Sequence, residues 1–269
     1  MEVAKKEEKG TIGDLFHRLK RRRRKRHEAT GRAEVFGSAE DFGVGTPQEA
    51  AEMRLSATVG NIQNNFVTQA AGGEMIFLDE SDPRSGSFIE EVLFKDVYRD
   101  DASATQEAWS AATTSALVRG YLGAQTNEEA KELGFRPYAA HRMWINDSFK
   151  ARKDDDYEYD RYSAERLIGK KAEELRIGDM LFRGYDSDGD GRDFKNTKDW
   201  RFNDFKRSGE KGEKYNSHTD VIVGKGTDAQ GRVYYDVSGG NVNNEFMVER
   251  MYPEELRATY KGALSQPKK

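Results

Sequence analysis

Apolar residues recur every three or four positions from Ala51 through Leu55, Val59, Ile62 and Phe66 to Ala70. That spacing predicts an amphipathic helix. Its start is written just before it: Thr46 can cap the helix, Pro47 suits the first turn, and Glu49 can close a capping box. Gly72-Gly73 ends the pattern, and Arg54, Gln63, Asn64 and Gln69 mark a solvated or partner-facing opposite face. "EMIFLDE" is a short apolar run and predicts a strand. In "SGSFIEEVLFKDVYRD" a second helical stripe comprises Phe88, Ile89, Val92, Leu93, Val97 and Tyr98, with Ser87 and Glu90 as its capping box. A helix then follows from Ser110 in "QEAWSAATTSALVRG". "TNEEAKELG" is a short capped helix ending at Gly134, and "RPYAAHRMWINDSFK" a helix after Pro137 with His141 and Ile145 one turn apart.

The period changes in the second half. "LRIGDMLFRG" reads as a turn feeding a strand. "HTDVIVGKG" and "RVYYDVSGG", joined at "TDAQG", predict a β-hairpin, and "NNEFMVERMY" a further strand. Helices first and an antiparallel sheet after them predict an α+β fold rather than a doubly wound one. Residues 150–165 are strongly charged, and residues 194–217 form a long polar excursion. The chain divides into a basic tail and linker (1–45), a helical extension (46–100), a main domain (101–260) and a polar C-terminal tail (261–269).

Composition narrows the chemistry. Hydrophobic residues make up 36% of the 269 and charged residues 34%, so some of the sequence is expected to lie outside the core. There is no cysteine, which excludes disulfides, thiolate catalysis and cysteine-based zinc sites. The four histidines are His17, His27, His141 and His218. No apolar run of about 18 residues is present, so no membrane span is expected, and the N-terminus lacks the apolar segment of a secretory signal. The net charge of −4 is uneven: residues 1–27 hold eleven Lys/Arg against four Asp/Glu. Seven consecutive basic residues, Lys20–Arg26, suit non-specific contact with a polyanion, or a solvated tail.

Acyl transfer needs a nucleophile, a base, a group orienting the base, and donors for the oxyanion. Ser110 stands where a helix begins, so free N–H groups would lie beside its hydroxyl. A serine in that position also serves simply as a cap or packing residue. His218 opens a β-run, and Asn241 and Asp236 lie on or after the next strand, within reach of holding its imidazole. His141 either lines a cleft beside Ser110 with Trp109, as a substrate contact, or bonds within its own helix layer.

"AWSAATTSALV", "GFRPYAAHRMWI", "LRIGDMLF", "HTDVIVGK" and "YYDVSGGNV" occur in this order between Thr105 and Tyr252. Together they resemble the papain-like amidase and peptidase superfamily of NlpC-type and CHAP-type cell-wall hydrolases, in particular a bacterial and phage branch of unassigned function. The resemblance implies a papain-like domain in which Ser110 matches the nucleophile, His218 the base and Asn241 the orienting residue, with Asp236 as an alternative. Most of the superfamily carries cysteine at the position of Ser110. A hydroxyl cannot be driven to its anion as a thiol can, so it needs a general base during attack. Two functions follow as expectations. One is hydrolysis of an amide bond in peptidoglycan by a serine–histidine mechanism. The other is a catalytically inactive structural or interaction protein on the same frame. Either would suit a phage virion or tail, with the protein cytoplasmic before assembly and other virion proteins as partners. No cofactor is required by this chemistry.

"YDSDGDGRDF" alternates Asp186, Asp188 and Asp190 before Gly191, as in the first half of an EF-hand calcium loop. The twelfth position is Thr197 rather than glutamate, so an acidic surface loop is the competing reading.

Overall fold

The computed structural model describes residues 46–69, 75–94, 109–151, 162–185, 194–242 and 245–265. Helix α1 (Pro47–Phe66) begins with the expected capping box between Thr46 and Glu49. It buries Ala51, Leu55, Val59, Ile62 and Phe66, each large side chain contributing about 1.5–3 kcal/mol. Arg54 is not simply solvated: its Nη2 donates to the Tyr121 carbonyl at 3.1 Å. Strands β1 (Val67–Gln69) and β2 (Met75–Phe77) pair antiparallel. Helix α2 (Pro83–Phe88) starts earlier than the Ser87 pattern predicts, because Asp82 accepts from the Arg84 N–H and Pro83 occupies the first turn. It widens into one π-helical turn at Ile89–Leu93.

Helix α3 (Ser110–Leu122) ends at Gly123, whose φ of 78° is the left-handed conformation glycine adopts without penalty. Helix α4 (Asn127–Glu132) carries its Thr126 cap, and α5 spans His141–Ala151. Then come β3 (Ser163–Glu165), a 3-10 turn (Gly169–Glu173) and β4 (Met180–Gly184). The polar excursion contains a helix, α6 (Phe202–Lys211). Its Phe202 and Phe205 pack on Phe149 and Phe182, and two aromatics among charges gave too little periodicity to reveal it. The hairpin and the strand after it are β5 (Ser217–Thr227), β6 (Val233–Val242) and β7 (Glu245–Met251). Helix α7 (Pro253–Thr259) precedes β8 (Gly262–Ser265).

Six strands form one antiparallel sheet in the order β3-β8-β4-β5-β6-β7. This corrects the expectation of a polar tail from residue 261. The last strand lies inside the sheet, with Leu264 and Ala263 buried in clusters on its opposite faces. Helices together with an antiparallel sheet make the fold α+β, as the order of periodicities implied.

The sheet is covered on both sides. Helices α1, α3 and α5 pack on the face bearing Met180, Phe182, Val221 and Val223. Leu181, Ile222, Tyr235 and Val237 face the other way, toward Leu256 and Tyr260. Phe66 at the end of α1 stacks on Trp109 at a 4.9 Å centroid distance, so the helical extension shares its core with the main domain.

Helix α3 approaches β6 closely at Gly240. A Cβ there would lie 2.4 Å from Thr113 Oγ1 and 2.7 Å from the Trp109 ring. Gly240→Ala is therefore expected to cost about 1–3 kcal/mol in urea unfolding. An unchanged unfolding midpoint would contradict that close approach.

Candidate functional site

The site is built on the start of α3. Residues Ser110, Ala111 and Ala112 open the helix, and the first intrahelical bond runs from the Thr113 N–H to the Trp109 carbonyl. Their N–H groups have no acceptor within the helix and lie at its positive end. Three consecutive polar side chains fix this end in place. Thr113 Oγ1 donates to the Trp109 carbonyl and Thr114 Oγ1 to the Thr219 carbonyl on β5, both at 3.1 Å. Ser115 Oγ bonds the backbone of Tyr138, accepting from its N–H at 3.3 Å and donating to its carbonyl at 3.2 Å. The Tyr138 segment leads into α5, and Trp144 Nε1 secures it by donating to the Arg136 carbonyl at 2.8 Å. The first residue of α5, His141, thereby reaches the head of α3.

Ser110 Oγ and His141 Nε2 are 2.7 Å apart. On the other side of the ring, Nδ1 lies 2.6 Å from Thr219 Oγ1 and 3.2 Å from the Thr219 backbone N–H. Both Ser110 and His141 are only 7% exposed. Burial, reinforced by His218 and Arg183 and opposed by Asp220, holds the His141 pKa well below its ordinary value. The imidazole is thus neutral at pH 7 and carries one proton. The two contacts at Nδ1 constrain the tautomer differently. The backbone N–H can only donate, which places the proton on Nε2, facing Ser110. The Thr219 hydroxyl fits either form: it donates to a bare Nδ1, or it accepts a proton carried on Nδ1, which frees Nε2 to take one.

His218 does not bond Ser110, correcting the expected pairing. Side chains alternate along β5, so Thr219 faces the α3 layer while His218 and Asp220 leave from the opposite face. His218 Nε2 bonds Asp220 Oδ1 at 2.9 Å, and Tyr260 donates to Asp220 Oδ2 at 2.7 Å. Burial opposes the charge on Asp220, but His218, Arg183 and the Tyr260 hydroxyl outweigh it and its pKa is lowered. The His141 and His218 rings nevertheless lie 4.9 Å apart, so the two clusters adjoin.

The other expected site residues separate. Trp109 is fully buried against Phe66 and supports the start of α3 from the core, so it presents no surface to a substrate. Asp236 is engaged by Arg250, whose Nε donates to it at 3.0 Å. The backbone of Asn241 lies in β6, and its side chain is outside the described residues. Asp186, Asp188 and Asp190 are also outside them, as are Lys20–Arg26. Thr197, at the loop's twelfth position, bonds the backbone of Tyr185 in both directions. Among the described residues no cluster of metal-binding side chains occurs, and no helix is long and apolar enough to cross a membrane. Sequence reading missed Thr219 and Asp220. Their only signal was the alternation of "HTD" at the head of a strand.

The buried imidazole has a consequence for stability. Unfolded His141 takes up its proton near its ordinary pKa of 6.5, while the folded form resists it until much lower pH. In that window the unfolded state binds more protons, so stability falls as pH drops below 6.5. The expected slope from this residue is at most about 1.4 kcal/mol per pH unit. Chemical denaturation between pH 5 and 7.5 should show it, with a flatter dependence in His141→Gln. An equal slope in the variant would assign the effect elsewhere.

No family model matches the chain, and neither does any curated protein or solved structure.

Proposed function

We propose that the protein is an amide hydrolase of serine–histidine type, with peptidoglycan as its substrate. The observation that carries this reading is the 2.7 Å contact between Ser110 Oγ and His141 Nε2 at the N-terminal end of α3. Ser110 Oγ attacks the amide carbon while its proton passes to His141 Nε2. The N–H groups opening α3 receive the negative charge that develops on the carbonyl oxygen. His141 then returns the proton to the leaving amine as the C–N bond breaks, and water releases the acyl group by the reverse sequence. Thr219 takes the orienting part: its hydroxyl accepts the Nδ1 proton and holds the attacking tautomer. The choice of peptidoglycan rests on the ordered motifs resembling cell-wall hydrolases. The same resemblance suits carriage by a phage virion or tail, with the basic block docking on an anionic component.

A second reading has its own observation. With the Thr219 N–H donating to Nδ1, the His141 proton sits on Nε2 and is donated to Ser110. The serine hydroxyl is then a donor toward a ligand rather than a nucleophile, and the frame binds without cleaving.

Release of soluble fragments from purified peptidoglycan separates the two. The hydrolase reading expects Ser110→Ala and His141→Ala each to lower turnover by at least about a hundredfold, with unfolding midpoints confirming folded variants. Absence of turnover in the wild type, or equal turnover in all three proteins, would leave the binding frame.

A further inference from the structure

An open groove of about 770 Å³ runs between α6 and the edge of the sheet, lined by none of the residues of the Ser110–His141 site. Helix α6 and the residue before it, Arg201, line one part. The segment Arg166–Ile168, which leaves the edge strand β3, lines another, with Lys261 ahead of β8. Arg166 ties the two together: its Nη2 donates to Asn203 Oδ1, and its guanidinium lies 5.3 Å from the centre of the Phe202 ring. Phe202 is itself anchored in the core on Phe149 and Phe182. The groove is therefore built into the folded chain.

Its charge is one-sided. Arg166, Arg201, Lys206, Arg207 and Lys261 line it, against the acids Asp204 and Glu210. Both acids are already engaged. Asp204 Oδ2 accepts from the Arg201 backbone N–H at 2.8 Å, its Oδ1 pairs with Arg207, and Glu210 stands 4.0 Å from Lys206. Among the described residues Arg166, Arg201 and Lys261 form no ion pair, so three cations share one concavity. The body of the protein has the opposite sign, since residues 28–269 hold 33 Lys/Arg against 44 Asp/Glu. Ile168 adds an apolar contact: at 64% it is the most exposed large hydrophobic side chain among the described residues. Nucleic acid is the poorer fit. Phe202, the aromatic side chain of the lining, is 8% exposed and lies under Arg166, which leaves no ring face for a base. Carboxylates on a peptide suit guanidinium and ammonium groups, and its aliphatic side chains suit Ile168.

We propose that this groove binds an acidic peptide segment of a partner protein, with carboxylates on Arg166, Arg201 and Lys261 and an aliphatic side chain over Ile168. The recognition is separate from the Ser110–His141 pair and does not depend on hydrolysis.

The test uses the full chain and a fluorophore-labelled nonapeptide of Glu-Glu-Leu repeats, followed by fluorescence anisotropy at about 0.1 M salt. Joint replacement Arg201→Gln and Lys261→Gln is expected to weaken binding at least about tenfold, and Ile168→Ser about threefold. The same peptide with Gln in place of Glu should bind at least about tenfold more weakly than the acidic one. The basic block Lys20–Arg26 is common to all these proteins, so the differences between them report the groove. A photo-crosslinking form of the peptide should attach to the wild type within residues 166–168 or 201–211, a readout that needs no variant. Unfolding midpoints confirm that the compared proteins are folded. No binding by the wild type, equal binding by the folded double variant, or crosslinks confined to residues 1–45 would each overturn the proposal. So would tighter binding of a labelled oligothymidylate of the same charge that weakens in the double variant, because the groove would then be a nucleic-acid site.

Discussion

His141 sits where water has little access, so both of its ring nitrogens must find partners in the protein. Ser110 meets one and Thr219 the other. An imidazole in that position stays neutral, because the charged form would lose its hydration without a carboxylate in direct contact. The rest of the local architecture serves this contact. Thr114 and Ser115 tie the head of α3 to β5 and to the segment before α5, the two places from which Thr219 and His141 come. Glycine at position 240 lets β6 come close enough to complete the layer.

The two histidines divide their surroundings by the pleat of one strand. Thr219 faces the helices and bonds a neutral ring. His218 and Asp220 face the opposite way and form a pair with Tyr260. The neutral imidazole of His141 and the His218–Asp220 pair are thus kept on separate sides of β5. The two rings still lie 4.9 Å apart, and His218 helps to hold the His141 pKa down. Arg183 joins the second group as the register partner of His218, its Nε 3.9 Å from Asp220 Oδ2.

Much of this fold was legible from period and caps. The Thr46–Glu49 box, the small-residue face of α3 and the hairpin at residues 227–231 each carried a local signal that tertiary packing only confirmed. What escaped lacked such a signal. β8 has four residues beside a lysine, and only its neighbours β3 and β4 make it a strand. The site was half legible. Ser110 could be located because a helix start is written locally. Its partner could not, because neither the histidine on another helix nor the one on a strand carries a local sign of which of them meets Ser110. The choice fell to His141 through strand alternation and the orientation of α5, neither of which the residues near Ser110 encode. Asp220 was hidden for the same reason, its value depending on Tyr260 forty residues away.

Reaction of the native protein with a serine-directed fluorophosphonate, followed by peptide mass spectrometry, addresses the Ser110–His141 pair most directly. The account predicts one adduct, on Ser110, formed in the wild type and absent in a folded His141→Gln variant. An unmodified Ser110, or labelling at the same rate without His141, would contradict it.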